Sequence, residues 1–303
     1  MKLAVFTKNL TNPAYEAARL GADRAARALG AQAVHYVPQK GDDPEEQSAL
    51  IDRALAEAPD AFVFTPVHAT RVNAAIGRIA AAGIPITGFV NPLPPGSDAR
   101  CVTYVGSDDA SLGQEIARYL FRTLDGRGRI VVVSGPADSV TSIARVEAFR
   151  EAAAAHPGIV VMGTVMGDYR RDVARDRVAA WLRANDEPVD AFLVANDIMA
   201  IGVIDALHSA GRRAAVVGVN AIPEAIAAIR RGDMLATADF NAMRMAFLAT
   251  ECAIRHLRGE HVPETIELPV EIVDRNNGAL WDLPYEQRHI PTLEETLACN
   301  PGS

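Results

Sequence analysis

Cysteine is scarce in this 303-residue chain, which contains Cys101, Cys252 and Cys299. None belongs to a CxxC pair, and the odd number argues against a framework of disulfides. We interpret the three as small buried or incidental residues, although a single bridged pair in an oxidising compartment also fits the sequence. A chain of this length can bury a core that is stable without such bridges.

Long apolar runs and concentrated basic charge are also lacking. Hydrophobic residues make up 49% of the chain, but no run approaches the roughly 20 residues that a membrane-spanning helix needs. The 30 Lys and Arg residues are scattered among 38 Asp and Glu residues, and the net charge is −8. Nucleic-acid binding needs a concentrated basic face, so we do not expect it. A neutral ligand is favoured over an anionic one, although one arginine could still hold a carboxylate.

Sequence signatures of catalysis, cofactor binding and metal binding are missing as well. The chain has no GxxxxGK[ST] loop, no GxGxxG after its first strand and no GxSxG elbow. Its seven histidines form no HxxxH or HExxH pair. Asp168 or Asp239 could perform acid–base chemistry, but no nucleophile or second catalytic group lies near them in the sequence. We therefore predict no enzyme activity, no catalytic residue, no cofactor and no metal.

What the sequence does contain is an alternation of short apolar strands with Ala-rich amphipathic helices, in two successive sets. Residues 130–133 (IVVV) are continuously apolar, which is typical of strands buried on both faces of a parallel sheet. The alternation predicts an α/β protein with two doubly wound parallel sheets. The predicted strands are 2–6, 60–65, 85–89, 129–134, 190–195 and 214–219. The predicted helices are 13–29, 44–58, 70–82, 109–124, 142–155, 171–184, 197–210, 223–231 and 241–258.

Interruptions of this rhythm indicate where the chain passes between two lobes. A Pro-rich loop at 91–96 precedes a strand-like segment at 101–105, and further β-favouring segments lie at 235–239 and 265–273. Three crossings predict two lobes joined by a three-segment hinge. We assign 1–104 with 236–263 to the first lobe and 105–235 with 264–290 to the second. Residues 291–303 form a C-terminal tail, within an irregular strap from 276 onward that has one short helix near 293–297.

Polar and aromatic side chains follow several of the predicted strands. In doubly wound sheets, ligands collect at the carboxyl ends of the strands. Amides and carboxylates match sugar hydroxyls, arginine offers a fork of donors, and aromatic rings cover C–H faces. The set therefore predicts a clamp for a small polyhydroxy ligand. Its members are Asn12, Tyr15, Arg145, Asp168, Tyr169, Asn196, Asp197, Asn220 and Asn241.

Each of these residues also has a purely structural interpretation. Asn12 is a good helix N-cap, since Pro13 follows at the first helical position. Capping would explain one of Asn196 and Asp197, but hardly both. Asn220 could simply form a turn, and Arg145 could be a solvated residue of its helix. His68 falls near the predicted cleft and is a weaker candidate for a ligand contact.

The chain resembles the periplasmic sugar-binding proteins of ABC importers, of the ribose- and galactose-binding type, over roughly residues 2–275. This is the type I periplasmic binding protein family. The closest match is 194–202 (VANDIMAIG). The other matching segments are 11–13 (TNP) with Tyr15, 105–108 (VGSD) with Gly113, 143–145 (IAR) with Phe149, and 216–220 (VVGVN) with Pro223.

The resemblance implies a function and a set of ligand-binding residues. A neutral monosaccharide or polyol would be captured in the cleft between the lobes by domain closure and delivered to the membrane permease of an ABC transporter. The resemblance also implies a monomer in the periplasm, although no leader precedes the first strand, so the residues alone also allow a cytoplasmic protein. The ligand residues would be Lys8, Asn12, Tyr15 and Asn91 in the first lobe, Arg145, Tyr169, Asn196 and Asn220 in the second, and Phe240 or Asn241 at the second hinge.

Departures from the family pattern favour a ligand other than ribose. Ribose-type members carry Asp-Arg where this chain has Val90 and Asn91, and Asp where it has Asn220. Their aromatic pair is reduced here to Ala14 and Tyr15. Losing the charged groups removes charge-assisted hydrogen bonds to pyranose hydroxyls. A different pentose, a hexose or an open-chain polyol is at least as well matched.

Three other functions compete with import. A sugar-responsive repressor core has the same kind of fold, but it would need a basic helix-turn-helix segment before the first strand, which here begins at residue 2. An α/β enzyme acting on a sugar phosphate would need a catalytic constellation. A binding protein that signals to a chemoreceptor cannot be separated from an importer protein by these residues.

Overall fold

The computed structural model describes residues 1–299, and it contains strands and helices in regular alternation over most of that range. The strands are β1 (Lys2–Phe6), β2 (Gln32–Tyr36), β3 (Ala61–Phe64), β4 (Ile86–Phe89), β5 (Cys101–Gly106), β6 (Gly128–Ser134), β7 (Ile159–Met166), β8 (Ala191–Val194), β9 (Ala215–Val219), β10 (Ala236–Asp239), β11 (Thr265–Glu267) and β12 (Glu271–Val273). The α-helices are α1 (Pro13–Ala28), α2 (Pro44–Ala56), α3 (Asn73–Ala81), α4 (Asp109–Thr123), α5 (Val140–Ala154), α6 (Arg171–Ala184), α7 (Asp197–Ser209), α8 (Pro223–Arg231), α9 (Ala242–Leu257) and α10 (Leu293–Cys299).

The first of two compact units consists of residues 1–107, 241–268 and 285–299. Its sheet has the order β11-β5-β4-β3-β1-β2, and the paired strands run parallel. The strands are buried on both faces, as their apolar runs predict. Phe6 stacks on Tyr36 with ring centroids 5.0 Å apart, and on Phe62 at 5.6 Å. This core supports the carboxyl ends of β1 and β4, where predicted ligand residues lie.

The second unit consists of residues 108–240 and 269–284, with a sheet of order β12-β10-β9-β8-β6-β7. The pairings are parallel except that β12 runs antiparallel to β10. The strands β6, β8 and β9 are rich in Val and Leu and are almost wholly buried. Helices α4 to α8 cover this sheet, and α6 packs closely on α7.

The predicted fold class is confirmed, and the structure corrects its details. The strands β2 and β7 lie at sheet edges and were absent from the predicted strands. β10 was assigned to the first lobe, but it pairs with β9 in the second sheet, where Ala236 and Ala238 become buried. β11 was assigned to the second lobe, but it pairs with β5 in the first sheet.

The C-terminal segment also differs from the expected organisation. The chain passes between the units after 107, 240, 268 and 284, one crossing more than expected, because residues from 285 onward return to the first unit. Arg24 Nη1 donates to Arg288 O at 2.7 Å, and the Leu293 amide donates to Glu251 Oε2 at 3.0 Å. The short helix expected near 293–297 is present as α10.

The cysteines behave as the sequence predicts where the structure describes them. Cys101 and Cys252 are free, and burial raises the pKa of their thiols to about 11 and about 12, respectively. Such thiols are poor nucleophiles at neutral pH. The side chain of Cys299 lies outside the described part of the chain.

Candidate sugar-binding residues

In the first unit, the loop after β1 is held by a chain of amide hydrogen bonds. Asn12 caps α1, with Oδ1 accepting from the Ala14 amide at 3.0 Å, as the sequence predicts. The Asn12 amide in turn donates to Asn9 Oδ1 at 2.9 Å, and Asn9 Nδ2 donates to Asp42 Oδ2 at 3.0 Å. Capping uses the carbonyl oxygen of Asn12, so its Nδ2 group has no partner within residues 1–299. That group is a donor available to a ligand.

Lys8 and Tyr15 flank this loop, and both are largely buried. Burial raises the pKa of Asp42, while the neighbouring Lys8 ammonium and the Asn9 hydrogen bond act in the opposite direction. Lys8 therefore has a carboxyl group beside it. Tyr15 lies in the first turn of α1.

Asn91 follows β4 and is largely buried. Its neighbour Val90 has φ of +65°, a left-handed conformation that is unfavourable for a β-branched residue. The Val90 amide donates to Val105 O at 3.1 Å, and Tyr104 Oη donates to Val90 O at 2.8 Å. These two hydrogen bonds hold the strained turn that presents Asn91.

Left-handed backbone recurs at the carboxyl ends of the strands in both sheets. Of the nine non-glycine residues with positive φ in the described chain, six lie one to three residues after the last residue of a strand. Such conformations cost about 1–3 kcal/mol each and cluster at functional sites. Their concentration at these ends supports the predicted location of the ligand residues. The six are Val90, Asp168, Tyr169, Asn220, Ala221 and Asn241.

In the second unit, Arg145 is buried rather than solvated, at 3% exposure. Its Nε and Nη2 each lie 2.8 Å from Asp109 Oδ1, and Nη1 donates to Ala195 O at 2.8 Å. The guanidinium lies over the Phe240 ring, 5.6 Å from its centroid. The structure therefore brings together two predicted ligand residues, Arg145 and Phe240. The alternative of a solvated arginine is wrong.

Asn196 and Asp197 have separate roles. Asn196 caps α7, with Oδ1 accepting from the Met199 amide at 3.0 Å. Asp197 is fully buried and accepts from Thr237 Oγ1 at 2.8 Å and from the Ile222 amide at 3.1 Å. Burial raises the pKa of Asp197 to about 7, against the effect of these two hydrogen bonds. A single capping role indeed does not account for both residues.

Three of the remaining candidates, Asn220, Tyr169 and Asn241, have left-handed backbone just after a strand. The Asn220 amide donates to Ala238 O at 2.8 Å, and the residue is largely buried. Tyr169 Oη lies 3.4 Å from Ser139 Oγ. Asn241 precedes α9 in a left-handed conformation and belongs to the first unit. His68 Nδ1 accepts from the amides of Thr70 and Arg71, which gives it a local role in its turn.

Two further residues bond candidate residues without being distinguished by the sequence: Asp109 pairs with Arg145, and Thr237 donates to Asp197. Asp109 directly follows Asp108, the N-cap of α4, and its link to Arg145 spans 36 residues. Thr237 lies inside a strand, with no local feature that distinguishes it. Across residues 1–299, no group of three or more His, Cys, Asp and Glu side chains could hold a metal ion. Within the same range, no helix is both long and apolar enough to span a bilayer.

Comparison with known proteins identifies the family to which this fold belongs. Residues 3–261 match the periplasmic binding protein domain. The chain belongs to the periplasmic binding protein family, whose members are substrate-binding proteins of ABC importers rather than enzymes. The resemblance seen in the sequence is thereby confirmed.

Individual relatives cover most of the chain at modest identity. A Rhizobium meliloti protein named for rhizopine binding is 29% identical over 246 residues, which are 78% of this chain and 79% of the relative. The ribose import binding protein of Bacillus subtilis is 22% identical and aligns with 89% of this chain and 86% of its own length. A solute-binding protein from Mycobacterium smegmatis with bound glycerol superposes with a TM-score of 0.84, at 25% identity, over 94% of this chain and 98% of the other.

Proposed function

We propose that this protein captures a neutral monosaccharide or polyol and delivers it to the membrane permease of an ABC importer. Family membership supports the role in import. Relatives named for the binding of xylitol and of ribose, at 26% and 22% identity, support the polyhydroxy class of ligand. The observation that carries the neutral character of the ligand is the pairing of Arg145 with Asp109.

That pairing cancels most of the charge that the ligand would meet. Arg145 uses at least three of its five N–H groups on Asp109 and Ala195, all within the second unit. In the first unit, Lys8 likewise has Asp42 as its neighbour. A carboxylate or phosphate ligand would therefore find no uncompensated cation at either group. A hydroxyl group needs only a donor or an acceptor, which the arginine and the asparagines provide.

The aromatic and amide groups match the two surfaces of a sugar. Tyr15, Tyr169 and Phe240 offer rings for C–H faces. The amides of Asn12, Asn91, Asn196 and Asn220 can each donate and accept. Buried amides discriminate strongly, because a ligand that lacks the matching hydroxyl leaves them unpaired.

We further propose that one ligand contacts residues of both units and that domain closure accompanies binding. A ligand shifts a conformational equilibrium only through its differential affinity for the two states, and contacts on both units provide that difference. Export to the periplasm and a monomeric state belong to the same proposal. Small-angle X-ray scattering tests closure, since the radius of gyration should fall when ligand is added. An unchanged radius with ligand bound would contradict closure.

A thermal-shift screen tests the class of ligand. The panel contains pentoses, hexoses and polyols, together with sugar acids and sugar phosphates. Ligand at a hundred times its dissociation constant should stabilise the protein by about 2.7 kcal/mol, a shift of a few degrees. A shift with a neutral sugar or polyol is the expected result. Shifts confined to phosphorylated sugars would contradict the proposal.

A further inference from the structure

Behind the turn that presents Asn220 lies a buried cluster of Asp197, Thr237 and Gly218. Asp197 and Thr237 are both 0% exposed. Thr237 Oγ1 donates to Asp197 Oδ1 at 2.8 Å and accepts from the Ala221 amide at 3.2 Å. Asp197 Oδ2 accepts from the Ile222 amide at 3.1 Å. The cluster thus joins the start of α7 to the turn between β9 and α8.

Gly218 is required for this arrangement. It lies opposite Thr237 in the pairing of β9 with β10. A Cβ atom at Gly218 would collide with Asp197 Oδ1. Only a glycine leaves room for the carboxyl group to reach the turn.

The turn itself is strained, with φ of +122° at Asn220 and +50° at Ala221. Three successive amides hold it in place, because Asn220 donates to Ala238 O while the next two donate to Thr237 and Asp197. Two of these three acceptors are the buried side chains of Thr237 and Asp197. Without them, the strained backbone would relax to a commoner conformation and Asn220 would move.

We propose that Asp197 is a positioning residue for the ligand, which with Thr237 holds the turn of residues 220–222 so that Asn220 meets the ligand. This inference rests on the proposed binding function, since Asn220 is a ligand residue only within it. Asp197 acts through Asn220 and its own carboxyl group stays buried. Losing the hydrogen bonds of Asp197 and Thr237 would displace the side-chain amide of Asn220. We therefore expect ligand affinity to fall more than the free energy of unfolding.

Thr237→Val tests the inference, with ligand affinity measured by isothermal titration calorimetry and stability by urea unfolding. The substitution keeps the shape of the side chain and removes its hydroxyl. Thr250→Val is the matched control, because Thr250 is equally buried in α9 and its hydroxyl donates only to Ala246 O. We expect Thr237→Val to weaken binding about tenfold or more. Thr250→Val should leave affinity unchanged, and Thr237→Ser, which keeps the hydroxyl, should restore it.

The outcomes separate failure of this inference from failure of the proposed function. Equal affinities of the Thr237→Val and Thr250→Val proteins, with Asn220→Ala weakened at least about tenfold, would overturn the positioning role alone. If Thr237→Val does not fold, Asp197→Asn takes its place, with the same expected loss of affinity and with Thr250→Val as the control. Absence of binding by the unsubstituted protein to any sugar or polyol would overturn both.

Discussion

Arg145 donates from Nε and Nη2 to one carboxylate oxygen of Asp109, at 2.8 Å from each nitrogen, with both residues in the second unit. Such charge-assisted pairs fix a guanidinium in place. The Phe240 ring beneath it and Ala195 O beside it complete the restraint. Arg145 is therefore oriented without any ligand, which would lower the entropy lost on binding the proposed sugar or polyol.

Replacing Arg145 tests its role in binding. We expect Arg145→Ala to lose about 2 kcal/mol or more of binding free energy, because the ligand loses the charge-assisted hydrogen bonds of an already oriented guanidinium. Arg118→Ala is the control, since Arg118 is about half exposed and pairs with Glu115 on the surface. Titration calorimetry of both proteins is the measurement. Equal affinities of the two variants would remove Arg145 from the site.

Asn196→Ala separates capping from ligand binding. The variant should lose about 1 kcal/mol of stability through the missing cap, and affinity should also fall at least tenfold because a ligand hydroxyl loses its partner. Asp43→Ala is a matched control, because Asp43 caps α2 through the Glu46 amide at 2.9 Å. It should lose similar stability and keep its affinity. A loss of affinity below tenfold in Asn196→Ala would mean that Asn196 only caps its helix.

Asp197 should make stability fall as pH rises from about 4 to about 7. Burial raises its pKa from 3.8 to about 7, with Asp239 reinforcing this shift and Arg145 opposing it. Between those pH values the folded protein keeps a proton that the unfolded chain has released, so rising pH favours unfolding. Urea unfolding of the unsubstituted protein and of Asp197→Asn at pH 5 and pH 8 measures this contribution. Between pH 5 and pH 8, Asp197→Asn should lose less unfolding free energy than the unsubstituted protein. Equal losses in the two proteins would contradict a raised pKa of Asp197 as the cause.

Replacing either of two helical glycines, Gly202 or Gly77, with alanine should change stability in opposite directions. A Cβ atom at Gly202 in α7 would collide with Arg171 O, whereas Gly77 in α3 has open space around it. Gly202→Ala should therefore destabilise the protein by about 1–3 kcal/mol. Gly77→Ala should stabilise it by up to about 1 kcal/mol, because alanine favours a helix. Thermal unfolding checks the pair, and stabilisation by Gly202→Ala would contradict the close packing of α6 on α7.

Local chemistry could be predicted from the sequence, and contacts between distant segments could not. Asn12 as an N-cap and the apolar strands of the second sheet depend on neighbouring residues, and both are confirmed. The burial of Arg145 depends on Asp109 and Ala195, which lie 36 and 50 residues away along the chain. Likewise, the lobe to which β10 belongs depends on its strand partner, which is β9 of the second sheet rather than a strand of the first. Short strands carry too little pattern to decide such a choice.

The most direct test of a neutral polyhydroxy ligand is titration calorimetry with matched pairs of compounds that differ only in charge. Xylitol against xylonate, and glucose against glucuronate, keep the carbon skeleton and the open-chain or ring form and exchange a neutral CH2OH terminus for a carboxylate. Because Asp109 and Asp42 neighbour Arg145 and Lys8, the two cations among the proposed ligand residues, the neutral member of a pair should bind at least tenfold more tightly. Tighter binding of the acid in each pair would contradict the account.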